Sequence, residues 1–225
     1  MPDYFPIMLD VRGRPALVVG GDAVAAEKAA ALRLAGAEVA VLSPQFCTDL
    51  LAMAERGEVT LRHKAYEQGD LAGAFVVVAA TTDNPVLSEA IWNEARRNGQ
   101  LLNVVDVPAL CTFIVPSILR RGQLTIAVST EGASPGLAKR IRQDLERIFP
   151  PIYDAYLRLA TVARGYLRQG GVSYRRRDEF FGDYYGSDVL ALLAAGERGS
   201  AARRTRDLMR RYGVEAPDGA LEEAV

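Results

Sequence analysis

The run Ala16-Leu-Val-Val-Gly20 ends on a glycine turn, Gly20-Gly21-Asp22, and reopens at once as the Ala-rich stretch Val24 to Ala35, stopped by Gly36. A short β-branched apolar run reads as a strand buried on both faces, and an Ala-rich run closed by Gly reads as a helix. Strand, tight turn and helix in that order are the opening of a βαβ unit, which commits the chain to a parallel sheet.

The pattern repeats as far as Asp106. Glu38 to Leu42 is a second strand, Thr48 to Arg56 a helix and Val59 to Arg62 a short strand. Phe75 to Ala80 is the most apolar strand, and Pro85 to Asn98 is a helix with Pro at its first position and Gly99 behind it. Leu102 to Asp106 closes the series. The fold class is therefore α/β, a Rossmann-type parallel sheet with helices on both faces. After Pro108 the alternation stops. Thr112 to Pro116 and Leu124 to Ser129 are expected as two strands joined through Arg120 to Gln123, an edge-exposing pair that a second chain can cover. Ser134 is an N-cap with Pro135 at N1 of a helix to Phe149, Pro150-Pro151 breaks it, and Tyr153 to Gln169 resumes it. Beyond Gly170-Gly171 the segment 183–186 reads as a loop, Val189 to Ala195 and Ala201 to Tyr212 as short helices, and the tail from Gly213 as frayed. Three divisions follow: a dinucleotide-binding domain over 1–111, a dimerisation region of two strands and a helix over 112–149, and a helical domain over 150–225.

Composition narrows the chemistry. The 27 basic and 28 acidic side chains balance, so the chain as a whole makes no electrostatic case for nucleic acid or a membrane surface. The two cysteines, Cys47 and Cys111, form no metal or disulfide framework, and with one histidine, His63, no permanent metal site is expected. No signal peptide or membrane-spanning run is visible, and a cytoplasmic location is the expectation. The balance is an average over unlike segments: residues 135–177 carry ten basic against three acidic side chains.

The glycine turn departs from the dinucleotide fingerprint. Gly20 stands where the tight turn is needed and Ala25 where helix and strand pack closely, but Asp22 stands where a glycine lets backbone approach the pyrophosphate. The turn alone admits a dinucleotide site with its phosphates displaced toward Ala23 and Val24, or a bare α/β turn in which Asp22 fills the anion position itself. No acid follows the second strand, so a ribose would be held by Ser43, Gln45 or backbone.

Five blocks, Gly20 to Ala29, Ala79 to Asp83, Asn103 to Pro108, Phe113 to Ser117 and Ala127 to Pro135, together resemble the precorrin-2 dehydrogenase family, a module that stands alone or forms the N-terminal part of siroheme synthase. The resemblance runs from about Tyr4 to Leu167. It implies NAD⁺-dependent oxidation of precorrin-2 to sirohydrochlorin, Fe²⁺ insertion in some members, and an intertwined homodimer. It places the essential carboxylate at Asp106 and nucleotide contacts at Ala23, Val24, Pro44, Gln45 and the Thr81 turn. With them Thr82, Asn103 and Val105 are expected on the cofactor side, and Thr112 and Ser117 on the substrate side.

On that reading Asp106, just past a strand's C-terminal end, is the general base and a transient contact for entering Fe²⁺; without it, Asp106 is a turn residue. A polycarboxylate substrate calls for cations, hydroxyls and helix N-termini, which Ser129, Thr130, Ser134, Lys139 and Arg140 supply. The competing reading is an NAD(H)-sensing regulatory subunit without turnover, which needs neither the base nor the polyanion surface.

Overall fold

A computed structural model describes residues 4–225, which fall into two compact units, the first ending at Val115 and the second starting at Pro116. The first holds strands β1 (Pro15–Val19), β2 (Glu38–Ser43), β3 (Thr60–His63), β4 (Val76–Ala79) and β5 (Leu101–Val104), with helices α1 (Ala23–Leu34), α2 (Thr48–Glu55) and α3 (Pro85–Asn98). The sheet is parallel throughout, in the order β3-β2-β1-β4-β5. Strand side chains alternate between faces, and here both faces are buried. Ala16, Val18, Val39, Val41, Val76 and Val78 pack against α1 and α2, while Leu17, Val19, Val77, Ala79, Leu102 and Val104 pack against Ile91 and Ala95 of α3. The strand order reverses between β1 and β4, which opens the crevice where such sheets bind ligands, beyond the strands' carboxyl ends.

The second unit opens with the antiparallel hairpin β6 (Ser117–Arg121) and β7 (Leu124–Val128), followed by α4 (Pro135–Ile148), α5 (Tyr153–Gln169), α6 (Tyr174–Tyr185), α7 (Val189–Ala194) and α8 (Arg198–Arg211). Gly122 turns the hairpin at φ 56°, and a Cβ there would meet the Asp154 carboxylate of α5, so this turn demands glycine twice over. The helices bury Leu159, Leu167, Phe180, Tyr184, Leu208 and Met209 in one core. Tyr156 and Tyr184 stack 4.9 Å apart and each hydroxyl donates to the other's carbonyl, at 3.3 and 2.9 Å. Burial pushes the Tyr156 phenol up to about 12 and that of Tyr184 higher.

Three expectations are corrected. The strand expected over Thr112 to Pro116 is absent, and β6 begins at Ser117. Pro116 has no N–H to donate, and the preceding residues are already claimed by β5: the Thr112 hydroxyl accepts the Leu102 N–H at 2.7 Å, and the Asn103 amide donates to the Phe113 carbonyl at 3.1 Å. The loop expected at 183–186 belongs largely to α6, capped by the Ser173 hydroxyl, whose Phe180, Phe181 and Tyr184 share one buried face. The tail is packed rather than frayed. Val214, Ala216, Leu221 and Ala224 join the core, Arg206 forks onto Glu222 at 2.9 and 3.0 Å, and Arg158 Nε donates to the Ala224 carbonyl.

Candidate functional site

At the switch point, Gly20 has φ 136° and a Cβ there would stand 2.6 Å from the Ala80 carbonyl oxygen, so only glycine lets β1 leave the sheet beside the end of β4. Gly21 is constrained from the other side. A Cβ there would stand 1.8 Å from the Gln45 carbonyl, and the Gly21 carbonyl accepts the Cys47 N–H at 2.7 Å. The sequence signalled the first role through the fingerprint; the second needs the β2–α2 loop in place. Asp22 caps α1, its Oδ1 accepting the Ala25 N–H at 2.9 Å, and its carbonyl accepts the Ala26 N–H at 3.1 Å. The N–H groups of Ala23 and Val24 have no protein acceptor among the described residues and face out of the helix N-terminus.

The neighbouring loops complete the rim. Ser43 is buried and its Oγ accepts the Gln45 N–H at 3.4 Å, while Pro44 and Gln45 are exposed. Thr81 is buried with its Oγ1 2.7 Å from Ser88 Oγ, so its hydroxyl pins the turn into α3, and Thr82 beside it is exposed. Asn103 lies on β5 with its amide spent on Phe113, and Val105 N–H extends the β4–β5 ladder to Ala79 at 2.9 Å.

Asp106 is exposed and has φ 60°, one of two non-glycine residues in the left-handed region among those described. Such a conformation costs of order 1 kcal/mol and persists only where surroundings fix it. The fixing group is Cys111. Its sulfur takes the Val104 N–H at 3.2 Å and its thiol lies 3.2 Å from the Val104 carbonyl and 3.4 Å from that of Val107, bracketing Asp106 on both sides. Burial pushes the Cys111 thiol up, which keeps it a neutral donor. In the sequence Cys111 stands five residues after Asp106, which leaves it open between a place near the site and a small packing residue; the brace it supplies needs the fold.

In the second unit the loop between β7 and α4 gathers hydroxyls. Ser129 Oγ accepts the Glu131 N–H at 3.0 Å, Thr130 Oγ1 accepts the Ser134 N–H at 3.1 Å, and Ser134 Oγ caps α4 on the Leu137 N–H at 3.3 Å. Glu131 is the other left-handed residue, at φ 51°. Lys139 and Arg140 follow on the exposed first turns of α4, Arg140 reaching Asp144 at 3.4 Å. Ser117 starts β6, half-buried, and Thr112 belongs to the first unit, its hydroxyl engaged by Leu102. The first unit thus brings Gly20 to Val24, Ser43 to Gln45, Thr81, Thr82, Asn103, Val105 and Asp106 to one end of its sheet, and the second brings Ser129, Thr130, Ser134, Lys139 and Arg140 to one end of α4. A cavity of about 780 Å³ in the first unit opens at the opposite, amino ends of the strands beside Arg33, Glu58 and Arg62 and holds none of these residues.

Parallel sheet, glycine turn and free helix N–H groups together define an NAD(P)-binding domain. Residues 7–117 match the family described as putative NAD(P)-binding, and residues 121–148 match the one described as sirohaem biosynthesis protein central. The chain belongs to the siroheme-biosynthesis family that pairs these two regions. It is similar to the siroheme synthase of Nitrosococcus oceani, 36% identical over 99% of this chain and 44% of that protein. It is also similar to that of Methylococcus capsulatus, 41% identical over 80% of this chain and 38% of that one. The chain therefore spans less than half the length of these curated relatives. A solved structure titled SirC, precorrin-2 dehydrogenase superposes with a TM-score of 0.75 at 26% identity, covering 93% of this chain and 99% of that one. No helix among the described residues is long and apolar enough to cross a membrane.

Proposed function

We propose that the chain oxidises precorrin-2 to sirohydrochlorin with NAD⁺ as hydride acceptor. The observation that carries this is the exposed Asp106 carboxylate, held in a left-handed conformation at the ligand-binding end of an NAD(P)-type sheet. The match to a precorrin-2 dehydrogenase over nearly its whole length supports the choice of substrate. When bound, NAD⁺ takes one hydrogen of the substrate as hydride at C4 of its nicotinamide. The residues fit the cofactor: Gly20 lets the backbone clear the phosphates, the Ala23 and Val24 N–H groups donate to them, and Ser43, Pro44 and Gln45 line the ribose side. No Lys or Arg stands between Ser43 and Thr48, which favours NAD over its 2′-phosphate form. Asp106 accepts the proton lost with the hydride. The same carboxylate serves deprotonation of ring nitrogens if Fe²⁺ is taken as a second substrate, and Thr130, Ser134, Lys139 and Arg140 receive substrate carboxylates. Anaerobic incubation with precorrin-2 and NAD⁺ should give sirohydrochlorin and NADH in equal amounts; folded protein giving neither would sink the reading, and adding Fe²⁺ tests the second step.

Asp22 sets cofactor affinity. Its charge opposes the phosphates, yet its side chain caps α1. Asp22→Gly should therefore tighten NAD⁺ binding several-fold in calorimetry at a stability cost of only a few tenths of a kcal/mol, whereas Asp22→Ala costs about 1 kcal/mol. Weaker NAD⁺ binding by the Gly variant would show that the carboxylate contributes to the site.

We also propose a homodimer through α4 and the β6–β7 hairpin. Leu137, Ile141 and Ile148 lie along one exposed stripe of α4, an apolar face that a second copy would cover. Light scattering should give twice the chain mass, and Ile141→Asp should give the monomer with its fold intact; a wild-type monomer would refute the dimer.

A further inference from the structure

The second unit carries a cavity of about 410 Å³ that is lined by none of the candidate site residues described above. Arg164 and Arg168 of α5 line it from one side, and Tyr174, Arg177 and Tyr185 of α6 from the other, over a floor of Phe181. The spacing is built into the two helices. Residues four apart on α5 share a face, and 174, 177, 181 and 185 form one stripe on α6.

Charge is the first anomaly. Of the arginines on these helices, Arg158 and Arg175 pair with Asp154 and Glu179, but Arg164, Arg168 and Arg177 form no ion pair among the described residues. Asp178 also lines the cavity without reaching any of them as an ion pair, so the cavity holds three cations against one carboxylate. Such a cluster repels itself unless an anion sits among it. Two of the three guanidiniums are nevertheless held in place. Arg164 lies 4.5 Å over the Phe181 ring, and Arg177 lies 6.0 Å from that of Tyr174 while its Nη1 donates to the Val172 carbonyl at 2.5 Å. A guanidinium stacked on a ring keeps its N–H edge for a carboxylate.

Aromatic exposure is the second. Tyr174 is 79% exposed and Tyr185 55%, and Tyr185 extends a near-parallel stack from the buried Phe181 at 5.7 Å and 28°. The cavity therefore offers flat apolar faces between fixed cations. Its volume lies in the range of small-ligand sites.

We infer that this cavity binds a planar conjugated ring with carboxylates at its edge, the carboxylates on Arg164, Arg168 and Arg177 and the ring against Tyr174 and Tyr185. The choice of a tetrapyrrole edge as that ring rests on the precorrin-2 reading; the cations and rings do not. The site gives the macrocycle a second station that shares no residue with the Asp106 site, suited to holding substrate before turnover or product after it.

Calorimetry on the full chain without NAD⁺ tests this, with uroporphyrin as the ring-bearing polycarboxylate and tricarballylate as a polycarboxylate without a ring. Arg164→Gln combined with Arg168→Gln should weaken uroporphyrin binding about tenfold, and Asp178→Asn should tighten it about threefold, both without a change in melting temperature because these side chains are exposed. Tricarballylate should bind at least about tenfold more weakly than uroporphyrin. Unchanged uroporphyrin affinity in the double variant, or tricarballylate binding as tightly as uroporphyrin, would overturn the site. Wild-type turnover of precorrin-2 with uroporphyrin affinity indifferent to the arginines removes this site and leaves the dehydrogenase standing; the expected affinity changes without turnover do the reverse.

Discussion

Asp106→Asn is expected to lower precorrin-2 turnover by about a hundredfold to a thousandfold while NAD⁺ affinity and melting temperature stay close to wild type. The size is that of a lost general base. The choice of Asn follows from the backbone. At φ 60° a side chain other than Asn, Asp or Gly adds strain, so Asp106→Ala would mix the loss of a base with a shift of the loop that carries it. Asn keeps the shape and the conformation and removes only the proton acceptor. Asp106→Gly makes the complementary control, since glycine relieves the strain and also lacks the base, and it should be as inactive as Asn. Single-turnover formation of NADH, read with separately measured NAD⁺ binding, distinguishes a missing base from a missing cofactor. Activity of the Asn variant within about threefold of wild type would exclude Asp106 as the proton acceptor.

The elements legible in the sequence are those whose signals are local. Pro85 to Asn98 is readable at both ends because Pro85 marks its first position and Gly99 closes it at φ 64°, and the structure adds the Asn84 cap on the Leu87 N–H. The buried strands β1, β2 and β4 were equally plain, since β-branched runs between turns have few alternatives. What could not be read depends on contacts distant along the chain. Thr112 to Val115 has strand composition, yet Leu102 and Asn103 tie it down as a loop. Helix α6 carries three arginines in its first turn after Tyr174 and contains Gly182, so its polar start hides the Phe180, Phe181 and Tyr184 face that packing on Tyr156 makes visible. The tail has no periodicity of its own and is held by Arg158 and Arg206 from helices well before it. Within the site, Gly20 and Asp22 were legible through the turn motif, whereas the brace that Cys111 supplies to Asp106 requires the loop closed on itself.

Glu94 is illegible in the sequence for the same reason, and it supports the largest stability effect expected of any single change in the first unit. It stands among the apolar positions of α3 and is 4% exposed. One carboxylate oxygen accepts the Tyr66 hydroxyl at 2.5 Å and the Gly69 N–H at 2.8 Å, and the other accepts the Leu71 N–H at 3.0 Å. Gln100, just past the helix, donates to the Leu71 and Ala74 carbonyls at 2.6 and 2.7 Å. Two side chains thus satisfy the backbone of the irregular segment between β3 and β4, which lets it bury Leu71 against the sheet with no ladder of its own. Glu94→Ala strips the acceptor from three donors at once and should cost about 3–5 kcal/mol, since charged acceptors are worth more than neutral ones and orphaned buried donors carry their full desolvation penalty. Trp92, the only tryptophan, lies two residues away on α3, so its fluorescence during urea unfolding follows this unit specifically. With a slope of about 1–3 kcal/mol/M the midpoint should fall by more than about 1 M. Glu94→Gln separates the chemistry from the packing: its one oxygen can still serve Tyr66 and Gly69, but its amide then meets the Leu71 N–H, so the loss should fall between wild type and Ala. Tyr66 adds a pH limb to the same experiment. Burial and then the Glu94 carboxylate raise its phenol above the ordinary value of 10.0, so the hydroxyl's contribution is fully present below that pH and is lost as alkali ionises it. Wild-type stability should therefore fall above about pH 10 more steeply than that of Tyr66→Phe, and equal slopes, or an Ala variant within about 1 kcal/mol of wild type, would show that the segment is held by its apolar contacts instead.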